Sequence, residues 1–546
     1  MPLKFYGMSK AKLLLFSTFS GLLFALAWPS IGDSTLTICM AFFPLLWVEE
    51  QISKSGKARS LQVFFNAYVA FFVFNLLTTW WIYYASAWGA AMAIICNSLF
   101  MAIVFLLFHI TKMKVGRKEG YIGLIIYWIA FEYLHINWEL SWTWLTLGNV
   151  FANDVGRVQW YEYTGVLGGS LYILVINLLF FFALKDLKGR SNIHFRYLGI
   201  ILFLLFGSGI VSRIILPEEK ESEKLEVVIV QPNIDPYKEK FGGLSPSEQI
   251  DRMIGLAKEE LTTSTDYLIF PETAIPEAHW EHEIEYLIIT EEIRKLRTIS
   301  PKLKTLIGSS SSVLYVPGQE LSATANAFRD GSGYYDNYNS AIYIDSSKEV
   351  QIHHKSKLVL GVEKLPFIRS IPLMKKLSIN LGGTSGGLGS QESPSVFKSK
   401  AENTVLAPII CYESIYGEYV TEYSNKGANL FAIITNDGWW DDTPGYKQHL
   451  AYARLRAIEN RRAIVRSANT GISAIINAKG EVIEQTKWWE QDVIKGEVAL
   501  NNESTFYVRY GDYIGRIAAF VAPLLLLLTL VKKLNKTEQR LGIKKA

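Results

Sequence analysis

The chain has 546 residues, half of them hydrophobic, with a formal net charge of +4 and a mean hydropathy of +0.17. That apolar load exceeds what a water-soluble chain of ordinary composition carries, and the length allows more than one domain. The 55 Lys and Arg are nearly matched by 51 Asp and Glu, so no nucleic-acid partner is expected.

Crossing a bilayer takes about 20 helical residues, and apolar runs of that order lie near 11–29, 61–83, 88–110, 165–184, 196–216 and 513–531. Shorter runs at 36–49 and 121–137 carry Pro44 and Glu132, so they span only if tilted or shielded by neighbours. This predicts about eight spans, seven before a long polar stretch and one after it.

Basic residues collect in alternate connections: Lys4, Lys10 and Lys12; Lys54, Lys57 and Arg59; Lys112, Lys114, Arg117 and Lys118; Lys185, Lys188, Arg190 and Arg196. The tail adds Lys532, Lys533 and Lys536, and the intervening connections hold almost no cation besides Arg157. The positive-inside rule then places both termini in the cytoplasm and the polar stretch outside. Ala25-Leu26-Ala27 looks like a signal-peptidase site, but cleavage is not expected, and it would not change the side assigned to the polar stretch.

The expected organisation is a polytopic α-helical membrane domain over 1–216, an extracytoplasmic α/β domain over 217–509, and a final span with a basic tail over 510–546. Trp80, Trp81, Trp88, Trp142 and Trp144 sit near predicted outer span ends, as an aromatic belt would. Glu132 is expected to be shielded by neighbouring helices, with His135 near the outer interface and His109 at a cytoplasmic helix end.

Within the polar stretch, short β-rich runs alternate with helical patterns. Strands are predicted at Leu225 to Gln231, Tyr267 to Phe270, Thr305 to Gly308, Ala341 to Ile344, Val405 to Ile410, Leu430 to Thr435, Ala463 to Arg466 and Ser473 to Ile476, with helices near 246–262, 286–298 and 445–461. Runs buried on both faces and separated by helices indicate layered α/β structure. Gly382 to Gly389 reads as a mobile loop, without the lysine and spacing of a phosphate cradle.

Cys411 is the only cysteine of this stretch, so it has no disulfide partner there and its thiol is the first candidate for chemistry. It ends the run Ile409-Ile410-Cys411-Tyr412-Glu413, before a short helix near Ser414 whose dipole would lower the thiol pKa. Glu272, in Phe270-Pro271-Glu272-Thr273, is held at a strand exit by a proline. Lys355 stands in His353-His354-Lys355-Ser356-Lys357-Leu358-Val359, followed by Glu363, and the cationic neighbours oppose a metal at the two histidines.

Together these fragments resemble the nitrilase, or carbon-nitrogen hydrolase, superfamily, whose Glu-Lys-Cys triad has the same chain order in an αββα sandwich. Pairing with membrane spans resembles the apolipoprotein N-acyltransferase family within it. Gln231-Pro232-Asn233-Ile234, Asn436-Asp437-Gly438-Trp439-Trp440, Arg466-Ser467-Ala468-Asn469-Thr470-Gly471 and Trp142-Thr143-Trp144-Leu145 with Gly148 fit as well, while Phe241 stands where that family has tryptophan.

The resemblance implies Cys411 as nucleophile, Glu272 as base and Lys355 as oxyanion partner, supported by Glu363, Tyr412 and Glu413, with Phe241 and Trp439 binding substrate. It implies a phospholipid acyl donor and a diacylglyceryl apolipoprotein acceptor at a bacterial inner membrane, a periplasmic catalytic domain, contact with membrane lipids, and a monomer. Neither a metal nor an organic cofactor is required. The main alternative is a membrane-anchored amidase that hydrolyses amides or nitriles with the same triad; a transporter would need more ionisable or helix-breaking sites in the spans.

Overall fold

The computed structural model describes residues 8–54, 59–186, 193–216, 223–240, 242–364, 387–399 and 403–540. The chain divides into two compact units. One comprises the stretches up to Tyr83, Ala90–Ile215 and from Asp512 onward; the other comprises Tyr84–Gly89 and Leu216–Gly511.

In the helical unit, six helices among the described residues are long and apolar enough to cross a membrane: Lys10–Ala27, Ser60–Thr79, Ala87–Lys114, Tyr161–Lys185, Ile193–Ile214 and Tyr513–Lys532. The predicted run at 121–137 falls in the 20-residue helix Arg117–Ile136. The predicted run at 36–49 does not form one helix. It becomes the 3-10 turn Thr37–Met40 and the 12-residue helix Phe43–Lys54, which at about 1.5 Å per residue falls well short of a hydrocarbon core of about 30 Å.

Tyr161–Lys185 buries 67% of its most apolar window against 11% for Ile193–Ile214, so the former is central to the unit and the latter peripheral. Phe203, Phe206, Ile210 and Ile214 on that outer helix are exposed, a surface suited to acyl chains and not to water.

Glu132 is buried, as expected, and its Oε1 accepts from Trp128 Nε1 at 3.0 Å and from the Leu147 backbone N–H at 2.8 Å. His135 is buried between Phe100 and Phe131 and accepts from Trp138 Nε1 at 2.9 Å, so it does not sit at an open interface. Trp81 and Trp144 also depart from the belt reading: both are buried and pack together with ring centroids 4.9 Å apart.

The second unit is a two-sheet sandwich. Its strands are β1 (Lys224–Gln231), β2 (Thr265–Ile269), β3 (Ala278–Trp280), β4 (Lys304–Leu314), β5 (Asn326–Ala327), β6 (Tyr334–Ile344), β7 (Gln351–His354), β8 (Phe397–Lys398), β9 (Val405–Ile410), β10 (Leu430–Thr435), β11 (Ile464–Ala468), β12 (Ala474–Ile476), β13 (Val482–Gln485) and β14 (Asp492–Ala499). Among the described residues, eight form a first sheet of order β14-β1-β2-β4-β6-β5, with β3 on β4 and β7 on β6. The other six form a second sheet, β13-β12-β11-β10-β9-β8.

The pleat explains the layers, because successive side chains of a strand face opposite ways. On β1, Val227 and Ile229 enter a core shared with Leu406, Ile410, Ala432 and Ile434 of the second sheet. Val228 and Val230 face outward onto Met253, Ile254 and Ala257 of the helix Pro246–Glu260 and Ile289 and Ile293 of the helix Ile288–Leu296. Both faces of the strand are therefore buried, which is why it reads as an unbroken apolar run. On the second sheet, the helix Gly417–Asn425 packs beside β9 and against the helix Pro444–Asn460, completing the αββα order.

Gly308 on β4 is a point where the fold constrains the site. Its N–H donates to Pro271 O at 3.0 Å, and a Cβ there would come within 2.4 Å of Thr273 N and 2.6 Å of Glu272 Cα. Gly308→Ala is therefore expected to displace the Glu272 turn and destabilise the unit by about 1–3 kcal/mol, the usual range for overpacking. Thermal unfolding of the full-length variant checks this, and an unchanged midpoint would contradict it.

Candidate active site

β2 ends at Ile269, and Pro271 stops its ladder, so Glu272 enters a turn in which Thr273 has φ of 50°. The Glu272 carboxylate is buried and fully engaged. Oε1 accepts from Lys355 Nζ at 3.1 Å and Asn339 Nδ2 at 2.7 Å, and Oε2 accepts from the Asn436 backbone N–H at 3.0 Å. Asn339 lies on β6 and Asn436 follows β10, so this one side chain is gripped from both sheets.

Lys355 follows β7, and its backbone N–H donates to Asn339 O at 2.8 Å. Its Nζ, 1% exposed, also reaches Glu363 Oε1 at 2.8 Å. Glu363 is aimed by the Val359 N–H on Oε2 at 2.8 Å and by Asn339 Nδ2 on Oε1 at 3.0 Å. Burial alone would lower the Lys355 pKa, but the charges of Glu272 and Glu363 override it and hold the ammonium well above the usual lysine range. Lys355 is a fixed cation.

Cys411 follows β9 with φ of 49°, the left-handed region that non-glycine residues seldom enter, and opens the five-residue 3-10 turn Cys411–Ile415. The sequence expectation of a lowered thiol pKa does not hold. Burial, then the Glu272 charge, push the thiol well above its ordinary value, and Lys355 opposes them only in part. So short a turn carries little dipole.

The sulfur's near surroundings were not foreseen from sequence. Ligating atoms of Cys411, Asp437 and His449 lie within 4.8 Å of one another, whereas Glu272 and Lys355 form their own pair and act on the thiol through their charges. Such a trio could in principle hold a cation. Its donors are already committed, however: Asp437 Oδ2 accepts from Arg466 Nη2 at 2.5 Å, Asp437 Oδ1 lies 2.9 Å from His449 Nδ1, and His449 Nε2 lies 3.0 Å from Ser414 Oγ. A buried guanidinium beside the carboxylate disfavours a second cation there. Burial would raise the Asp437 pKa, but Arg466 and then His449 hold it below the usual carboxylate range. The network braces the Cys411 turn, which His449 Nε2 also approaches at 3.2 Å from Cys411 O.

Glu413 links that turn to the first sheet. Oε1 accepts from the Ser356 N–H at 2.6 Å and Tyr419 OH at 2.8 Å, and Oε2 accepts from the Ile410 N–H at 2.8 Å, with His353 Nε2 at 3.4 Å. Both oxygens are occupied in fixing Cys411 relative to Lys355. Tyr412 is buried against Tyr416, with ring centroids 5.4 Å apart. His354 pairs with Glu281 at 2.5 Å and stacks on Tyr338, so the two histidines part company.

Trp439 packs edge-on against the exposed Tyr237 at 5.1 Å. Phe241 and the Gly382 to Gly386 part of the glycine-rich loop lie outside the described residues. Lys240, which the sequence did not single out, contacts Thr273 Oγ1 and is pushed down to about 8 by burial, with the Glu272 charge pulling the other way.

These charges set a direction for thiol titration. Lys355→Met removes a cation that lowers the Cys411 pKa, so the pH profile of alkylation by iodoacetamide should move to still higher pH. A profile displaced downward would contradict the arrangement. Arg466→Met, which leaves Asp437 buried without its cation, should cost about 3–5 kcal/mol of stability, read from thermal unfolding.

Residues 227–506 match the carbon-nitrogen hydrolase family, and residues 20–179 match the apolipoprotein N-acyltransferase N-terminal domain. The chain is 30% identical to an apolipoprotein N-acyltransferase of Chlorobaculum tepidum, over 94% of this chain and 96% of that one. Enzymes of the same name from Geobacter metallireducens and Thermotoga maritima are 26% and 25% identical, over 91% and 93% of this chain and 91% and 92% of theirs. With both family models matched in one chain and a relative of that name covered nearly end to end, the chain belongs to the apolipoprotein N-acyltransferase family.

Proposed function

We propose that the protein transfers a fatty acyl chain from a phospholipid to the N-terminal amine of the diacylglyceryl-cysteine of an apolipoprotein, in two steps through a thioester on Cys411. The observation that carries this reading is a fixed ammonium, Lys355, shared by Glu272 and Glu363 beside a buried, protonated thiol. A thiol so reluctant to ionise needs a base already in place, and the Glu272 carboxylate acts on it more strongly than the other carboxylate in reach, Asp437, which Arg466 already holds.

In the first step Glu272 takes the Cys411 proton as sulfur attacks the ester carbonyl. Collapse of the tetrahedral intermediate breaks the ester C–O bond, and Glu272 returns the proton to the departing glycerol oxygen, releasing lysophospholipid. In the second step the acceptor amine attacks the thioester carbonyl and gives a proton to Glu272. The C–S bond breaks, the proton passes to sulfur, and an amide is left.

Lys355 remains protonated and, with the Tyr412 backbone N–H, stabilises the oxyanion of both intermediates, each donor contributing on the order of 3 kcal/mol. Glu363 orients Lys355, Glu413 and Tyr412 hold the turn of the nucleophile, and Trp439 with Phe241 contacts substrate. The helical unit delivers both lipid substrates from the plane of an inner membrane, with the catalytic unit in the periplasm, both termini in the cytoplasm, and a monomer as the working form.

Purified full-length protein incubated with phospholipid should carry a fatty acyl thioester on Cys411, detectable by mass spectrometry of the intact chain. Glu272→Gln should slow its formation by about 10² to 10⁴, the range for loss of a general base. A diacylglyceryl-cysteine peptide should then discharge it to an amide. Discharge to free fatty acid alone would favour the hydrolase, and transfer without any acyl-enzyme would sink the two-step mechanism.

A further inference from the structure

A second buried ion cluster lies wholly within the helical unit. Glu49 and Glu50, near the end of the helix Phe43–Lys54, are 1% and 2% exposed. Glu50 Oε1 lies 2.8 Å from Lys185 Nζ, 3.1 Å from Arg117 Nη2 and 3.5 Å from Lys54 Nζ, and its Oε2 accepts from Lys112 Nζ at 2.9 Å. Glu49 contacts the same Lys112, accepts from Ser53 Oγ at 2.6 Å and lies 2.7 Å from His109 Nδ1. His109, near the end of the helix Ala87–Lys114, is therefore a buried partner of Glu49. The nearby Glu119 folds back over Gly116 at the start of its own helix.

Two carboxylates thus face four permanent cations, a surplus of two positive charges among the described residues of the cluster. Burial divides those cations. Lys112 is 4% exposed and saturated by the two glutamates, whereas Lys54 and Arg117 are 46% and 59% exposed and present their charge outward. All four stand at helix ends: Lys54 closes its helix, Lys112 and Lys185 occupy last turns, and Arg117 opens Arg117–Ile136. Lys112 and Lys185 end helices long enough to span a bilayer, whose ends lie at head-group depth, and Glu50 ties Lys54 and Arg117 to the same level.

We propose that this cluster binds the phosphate of an anionic phospholipid head group, held by Arg117 and Lys54 over the buried Glu50–Lys112 pair, at a place separate from the acyl-transfer site. A surplus of two charges suits a phosphodiester whose own charge is not cancelled by an attached amine, and planar guanidinium donors match its oxygens. The glutamates confine the cations to one spot, so the site selects a bound lipid instead of merely concentrating a diffuse layer.

The test is native mass spectrometry of full-length protein reconstituted with equal phosphatidylglycerol and phosphatidylcholine. The wild type should retain phosphatidylglycerol in preference, on the order of ten-fold for two head-group-facing cations. Lys54→Gln with Arg117→Gln should bring the two lipids near parity, and Lys54→Gln alone should give an intermediate preference, which serves if the double variant does not fold. Lys487→Gln, at an exposed lysine of the other unit, should leave the preference intact. Equal retention by the wild type, an undiminished preference in Lys54→Gln, loss of preference in Lys487→Gln, or displacement of the lipid by excess inorganic phosphate would each overturn the proposal.

Discussion

The catalytic unit is organised around one constraint, the burial of the Lys355 ammonium. An isolated ammonium taken out of water is strongly disfavoured, so the charge persists only where carboxylates meet it with good geometry. Here there are two, and Asn339 donates to both of them from the opposite side. The four groups form a closed ring in which each carboxylate is aimed by two donors. That ring carries one more negative charge than positive, and the excess is felt by the thiol: after burial, the Glu272 charge is the next cause that keeps Cys411 protonated.

The second sheet answers with a separate polar assembly. Asp437, Arg466 and His449 are all buried and bind one another, and Ser414 and the Cys411 carbonyl attach the Cys411 turn to them. Two junctions then fix one sheet's groups against the other's. Glu272 accepts from the Asn436 backbone across the sandwich, and Glu413 accepts from the Ser356 backbone just after Lys355. Apolar packing between the sheets brings the halves together, and these two carboxylates align the site residues across it.

Much of this was legible in the sequence, for identifiable reasons. The strands that position Glu272 and Cys411 are apolar on both faces, and such runs stop where the chain turns, so the chemistry-bearing residues showed at their ends. Asn339 was not legible, because a polar residue within β6 looks like any solvent-facing strand position until the partner carboxylates are in place. His449 was hidden in the same way inside the helix Pro444–Asn460, and Arg466 on β11, though part of a fragment that fits the family, gave no sign of its pairing with Asp437. The thiol's acidity was misjudged because helix direction can be read from sequence but burial depth cannot. Glu49 and Glu50 escaped notice since they ended an apolar run beside basic residues, the usual pattern of a membrane border.

The division of the site between two sheets also bears on how the protein comes into being. Glu272, Asn339 and Lys355 belong to the sheet whose strands are mostly made first, and Cys411 arrives later on the other. Until the sheets pack, the thiol has the acidity of any free cysteine, with a pKa of about 8.5, and no carboxylate near it. Packing removes that acidity and brings the Glu272 charge to bear on the thiol in the same event. The arrangement around the thiol is thus inseparable from folding, and a chain caught half-assembled holds neither the Glu272–Lys355 pair facing Cys411 nor a sheltered thiol.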